Sequence, residues 1–151
     1  MIRSTIFLLV LVFAFSCKSK NKDDVNPREQ YVGTYDVAYT ASTLVGTLPF
    51  NPNERGNGQV VVSAGNAADE LKFDISFPAY TETIMAKLSG GTFVWEKQKD
   101  ILKVGAGSYD ADYSASGEFR GANLIINARA ETTTPDGTKI VKTSTFNGIK
   151  K

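Results

Sequence analysis

The sequence predicts an all-β protein, an antiparallel up-and-down meander of about eight strands closing into a β-barrel. Three observations carry this. From Tyr31 onward, apolar and polar residues alternate with period two. No window holds sustained apolar spacing of three and four, so helix is expected only as one short turn near Glu82. Turn residues punctuate the alternation at short intervals, and short links make successive strands antiparallel neighbours. A two-sheet sandwich shares this strand pattern and stays open as the alternative, since the two differ in connectivity.

The elements follow in order. Tyr31, Gly33, Tyr35, Val37, Tyr39 and Ala41 fall on one face of a first strand, with Thr34, Asp36 and Thr40 on the other. Thr43 to Asn57 then reads as one long connection, either a lid or binding loop or a plain hairpin loop stiffened by Pro49 and Pro52. Leu71, Phe73, Ile75 and Phe77 alternate with Lys72, Asp74 and Ser76, and Pro78 ends that strand because it cannot donate a ladder hydrogen bond. Tyr113 to Arg120 and Leu124 to Glu131 alternate in the same way. Gly65-Asn66, Ser89-Gly90-Gly91 and Gly121-Ala122-Asn123 mark reversals. In Thr134-Pro135-Asp136-Gly137-Thr138, Pro presets its own φ and Gly accepts positive φ, joining a strand near 123–133 to one near 138–147.

Composition narrows the chemistry. The 151 residues include no His and one Cys, which excludes His-dependent nucleophilic dyads, His-ligated metals, Cys-cluster zinc sites and internal disulfides. No cofactor is expected. A domain of roughly 120 residues buries about two thirds of its unfolded surface and folds without staples.

The first 16 residues read as a targeting segment. Arg3 gives a positive start, and Ile6 to Phe15 is an unbroken apolar run of ten. Ten helical residues rise about 15 Å, half the roughly 30 Å hydrocarbon thickness, so the run is a signal core and not a span. Ser16-Cys17 directly after it resembles the lipobox of bacterial lipoproteins, which implies acylation of Cys17 and cleavage before it. Residues 17–30 hold one aliphatic side chain, Val25, among clustered charges, and form a flexible tether. Loss of Arg3 leaves 16 basic against 16 acidic side chains, an unfavourable balance for nucleic acid. The membrane partner is instead reached through acyl chains. Lys22-Asp23-Asp24 resembles a signal that exports some Gram-negative lipoproteins to the outer face of the outer membrane, and a solvated charge cluster is the other reading.

Within the domain at 31–151, Gly33-Thr34-Tyr35 on the first strand, a long first loop and a short-turn meander resemble the calycin group of lipocalin-like barrels, over roughly residues 31–149. Lipocalins proper carry Trp where this chain has Tyr35, and Arg129 is the candidate for the Arg that packs over it. The resemblance implies a barrel mouth covered by Leu48 and Phe50. Tyr35, Tyr39, Phe50, Trp95 and Tyr113 are the candidate ligand-binding residues. Small residues share the inward face. If they gather at one end they open a pocket; if they face the aromatics they are filled.

The expected function is therefore a non-enzymatic, envelope-anchored lipoprotein that binds a small apolar or amphipathic ligand in the barrel. A surface scaffold with a packed barrel is the alternative. A carboxylate-dependent hydrolase built on Asp110 and Asp112, or a calcium site adding Ser108, rests only on two acids sharing a strand face.

Overall fold

The computed structural model describes residues 26–151. Nine antiparallel strands follow in chain order: β1 Gly33–Val45, β2 Leu48–Ala64, β3 Glu70–Phe77, β4 Tyr80–Ser89, β5 Thr92–Trp95, β6 Gln98–Val104, β7 Gly107–Arg120, β8 Asn123–Thr133 and β9 Lys139–Lys150. The sheet order is β5-β4-β3-β2-β1-β9-β8-β7-β6, and β5 also pairs with β7. That second pairing closes eight strands into a barrel and leaves β6 outside the ring. β5 and β6 lie end to end along the same edge of β7, with Phe93 opposite Gly117 and Gln98 opposite Tyr113.

Alternation sorts the side chains as a closed ring demands. Tyr35, Val37, Val60, Val62, Leu71, Phe73, Phe93, Leu124 and Ile126 are buried within it. Outside lie Asp36, Gln59, Lys99, Asp112 and Arg129, the reverse of a barrel whose outer face meets lipid. Rings from separated strands meet in the interior, with centroid distances of 4.8 Å for Phe73–Phe93 and 5.1 Å for Phe93–Phe119. Glycine makes room for them. A Cβ on Gly117 would lie 2.4 Å from the Phe93 ring, and one on Gly58 would lie 2.7 Å from Phe77.

One end of the barrel is plugged. Before β1 the chain turns across this end, and Tyr31 stacks on Phe119 at 4.4 Å while its hydroxyl donates to the Gly90 carbonyl. The Arg28 guanidinium donates to the carbonyls of Gly65, Ala67 and Glu70 in the β2–β3 turn. Residues 27–30, assigned by composition to the tether, are thus held against the barrel, and Lys150 Nζ donates to the Gln30 carbonyl at 2.9 Å.

Three sequence expectations are corrected. The stretch from Thr43 to Asn57 is not a loop but the outer half of the β1–β2 hairpin, turned tightly at Gly46 with φ 62°. Pro49 and Pro52 are tolerated because β2 pairs with β3 only from Gln59 onward, so this part of the strand has one neighbour. Register irregularities between Ala41 and Leu44 absorb the extra residues. The helical turn near Glu82 is replaced by β4, where Glu82 pairs with Ile75. The cation over Tyr35 is Lys150, with Nζ 6.0 Å from the ring centroid, and not Arg129, which lies outside and pairs with Glu131. Gly33, at φ 149°, is what admits it: a Cβ there would stand 2.6 Å from Lys150 Cε.

Gly117→Ala is expected to lower stability by about 1–3 kcal/mol through overpacking against Phe93 and the Ile125 carbonyl, read as a lower urea midpoint at unchanged slope. An unchanged midpoint would show that the interior at Phe93 is not tightly filled.

Candidate functional site at the open end of the barrel

The end opposite the plug is built differently. β4 pairs with β5 only over Ala86–Ser89, and β6 pairs with β7 alone, so no backbone ladder joins the first half of β4 to β6. The β3–β4 hairpin turns at Pro78 and Ala79, while β2, β1, β9, β8, β7 and β6 continue beyond it as a curved sheet. The result is a mouth open at the side. A side-chain hydrogen bond bridges its lower part, Gln98 Nε2 donating to Glu82 Oε1 at 2.6 Å. At the top, the Phe50 ring reaches towards the β6–β7 turn, where a Cβ on Gly105 would lie 3.7 Å from it.

Register shows what lines this mouth. One interior row runs Ala115, Ala128, Ser144, Ala41 and Glu54, each opposite the next on neighbouring strands. The next runs Gln98, Tyr113, Ala130, Lys142 and Thr43. Small residues on β7, β8, β9 and β1 therefore gather at this end, whereas Gly58 and Gly117 face aromatics in the filled half. Ala41, Ala115, Ala128 and Ala130 are nevertheless buried, so the small residues are covered, as the filled reading has it.

Polar groups gather over these rows. Lys142 Nζ is 3.0 and 2.8 Å from the two carboxylate oxygens of Glu54, and the Tyr39 hydroxyl donates to the same carboxylate at 3.0 Å. Burial works against the Lys142 charge, but Glu54 and Tyr39 outweigh it and hold the ammonium above the ordinary lysine range. Burial pushes the Glu82 carboxyl up; the Gln98 hydrogen bond opposes this and the Asp100 charge adds to it. Tyr80 and Tyr113 are raised well above ordinary phenols by burial and then by the acids and tyrosines around them. Burial also raises Tyr39.

The residues picked out from sequence divide between the two ends. Tyr39 and Tyr113 line the mouth, and Phe50, 52% exposed, stands on its rim rather than on a lid. Trp95 is 1% exposed with its ring 6.1 Å from Tyr113, and its indole N–H has no hydrogen-bond partner among the described residues. Tyr35 belongs to the plugged end, where its hydroxyl donates to the Tyr31 carbonyl at 2.8 Å and burial pushes its pKa up to about 12. Cys17, Lys22, Asp23 and Asp24 lie outside the described residues. Asp110 and Asp112 are exposed on the outer face of β7, with Asp112 bound to Lys99. Among the described residues, no group of three or more Cys, Asp or Glu is placed to hold a metal ion. Glu54, Tyr80, Glu82, Gln98, Asp100 and Lys142 were not singled out from sequence. Their signal was phase: Glu82 alternates in step with Ile84 and Ala86, and Lys142 with Ile140 and Phe146.

No protein-family model matches the sequence, and no curated protein matches it. Among solved structures, the chain is similar to the vaccine antigen transferrin binding protein B of Haemophilus parasuis Hp5, at 16% identity and a TM-score of 0.43, over 80% of this chain and 27% of that one. It is also similar to a protein of unknown function from the DUF3598 family of Nostoc punctiforme, at 14% identity and a TM-score of 0.44, over 82% of this chain and 48% of that one. The chain thus spans less than half the length of either.

Because burial raises the Glu82 carboxyl, its ionised form is disfavoured in the folded state relative to the unfolded chain. That cost is present above the raised pKa and vanishes as pH falls and the group protonates. Glu82→Gln is accordingly expected to be more stable than the parent at pH 7, with the gain shrinking towards pH 4 in urea titrations. A gain independent of pH would contradict this account of the mouth.

Proposed function

We propose that this protein is a non-enzymatic binding protein of the bacterial envelope, held to the membrane by acyl chains on Cys17 and taking a small amphipathic ligand at the open mouth of its barrel. The observation that carries the reading is the gathering of Tyr39, Glu54, Tyr80, Glu82, Gln98, Asp100, Tyr113 and Lys142 above rows of small residues, at one end of an interior otherwise filled with apolar side chains. Inward charges weaken a barrel core and are kept where they meet something from outside. A ligand seated here would lay its apolar part against the exposed Phe50 ring on the rim and turn its polar part towards the tyrosines and carboxylates. The filled half below argues for an amphipathic ligand over a wholly apolar one sunk along the barrel axis.

Anchoring rests on the apolar run and the Ser16-Cys17 junction, and outer-membrane placement on Lys22-Asp23-Asp24. Neither a nucleic acid nor a cofactor is part of the proposal.

Native mass spectrometry of the full chain purified from its host is expected to show a small-molecule adduct that is lost or weakened in Phe50→Ala, with far-UV circular dichroism unchanged. Absence of any adduct in the parent protein would count against the mouth as a ligand site. Cys17→Ser is expected to end incorporation of labelled fatty acid and move the protein from the membrane to the soluble fraction; fractionation unchanged by the substitution would reject acyl anchoring.

A further inference from the structure

Among the described residues, β6 alone leaves a whole edge unpaired. It lies last in the sheet order and bonds only to β7, in an unbroken register from Gln98 to Val104 with neither a proline nor a bulge. In an antiparallel ladder alternate residues turn both backbone groups to the partner strand, and the residues between turn both away. The Ile101 N–H donates to the Asp100 carboxylate at 2.7 Å, which assigns Ile101, and with it Lys99 and Lys103, to the set turned away from β7. The side chains of these three residues stand on the outer face, opposite Asp112, Asp110 and Ser108, and all three are exposed, Ile101 by 53%. The free edge thus carries an aliphatic side chain between two ammonium groups. Lys99 is bound to Asp112, whereas Lys103 has no acidic partner among the described residues.

We propose that β6 docks an extended acidic peptide as an added antiparallel strand, with carboxylates at alternating positions beside Lys99 and Lys103 and an aliphatic residue between them beside Ile101. Residues directly opposite each other in an antiparallel pair stand on the same face, so the free backbone groups of β6 and the charges next to them specify one pattern, acid-x-aliphatic-x-acid. A second copy of this chain fits less well, since pairing β6 with itself about Ile101 sets Lys99 of each copy against Lys103 of the other. Lysines on an edge ordinarily guard it against indiscriminate pairing. A strand that brings carboxylates turns the same guard into a means of selection. Asp100 completes the arrangement, because its carboxylate occupies the central donor until a carbonyl of the incoming strand replaces it. The edge borders the mouth, but the proposal does not require the mouth to hold a ligand.

The probe is a fluorescein-labelled peptide, Thr-Glu-Thr-Val-Thr-Glu-Thr, followed by anisotropy as the full chain is added. It is expected to bind about tenfold more tightly than the same peptide with lysine in place of glutamate. N-methylation of its valine keeps the charge but removes a ladder hydrogen bond, and should abolish binding. Lys103→Glu should lose the preference for the acidic peptide, and Asp100→Ala, which frees the Ile101 N–H, should tighten binding. Hydrogen exchange at the amides of Lys99, Ile101 and Lys103 should slow when the peptide is present. Equal binding of the N-methylated peptide would show charge attraction without strand pairing and overturn the proposal. No binding of the acidic peptide would overturn it too, and self-association of the chain in sedimentation without any response to the peptide would assign the edge to a second copy instead.

Discussion

The structure turns on where its ring of strands is closed. Closure depends on β5, four residues that pair with β4 on one side and with the end of β7 on the other. Phe93 and Trp95 point inward from this short strand, and each buried aromatic contributes on the order of 3 kcal/mol by removal from water. Gly117 opposite Phe93 is the complement that lets the ring enter. After Trp95 the chain leaves β4 and continues along β7 only. Below that point eight strands enclose a packed interior; above it β2, β1, β9, β8, β7 and β6 continue as a curved wall that carries a second, smaller buried cluster of Leu102, Ala111, Ala130 and Ile140. The division into a solid half and an open half is thus a consequence of one short double pairing.

Each half uses polar atoms differently. At the plugged end, Arg28, Tyr31, Tyr35 and Lys150 donate to backbone carbonyls, with Arg28 Nε also donating to Asn26 Oδ1, which satisfies donors and fixes the chain without placing a charge in the interior. At the mouth, polar groups meet one another: Lys142 and Tyr39 converge on Glu54, and Gln98 reaches Glu82 across a break in the sheet. The first arrangement is finished by the protein itself. The second leaves negative charge and a buried indole N–H exceeding what the described residues match, and its groups sit in a setting where water screens them less than at a surface.

Strand identity was legible because burial on one face stamps period two on the sequence, as in Leu71 to Phe77, and because glycine at Gly90, Gly121 and Gly137 adopts the positive φ that the reversals need. The hairpin between Thr43 and Asn57 was hidden for a physical reason: a strand half with one neighbour and little burial carries no alternation, and its prolines imitate a loop. The mouth was hidden by the same rule that made the core visible. Tyr39 and Tyr113 obey the apolar phase and stood out, whereas Glu54, Glu82 and Lys142 occupy inward positions with charged side chains and read as interruptions. Only pairing across β1, β9, β8 and β7 reveals that these interruptions fall in adjacent rows. The Lys150 contact with Tyr35 joins residues 115 positions apart and follows from the β1–β9 register, which no local pattern encodes.

The plug gives the molecule a direction. The segment at 26–32 is pinned across the plugged end, so the chain reaches the barrel at the pole farthest from Phe50 and Gly105. Whatever is attached ahead of Asn26 pulls on that pole. For a lipid at Cys17, eight intervening residues span at most about 30 Å, less than the roughly 40 Å length of a strand such as β1. A barrel moored in this way would stand on its sealed base, with its opening turned towards the surrounding medium and away from the bilayer.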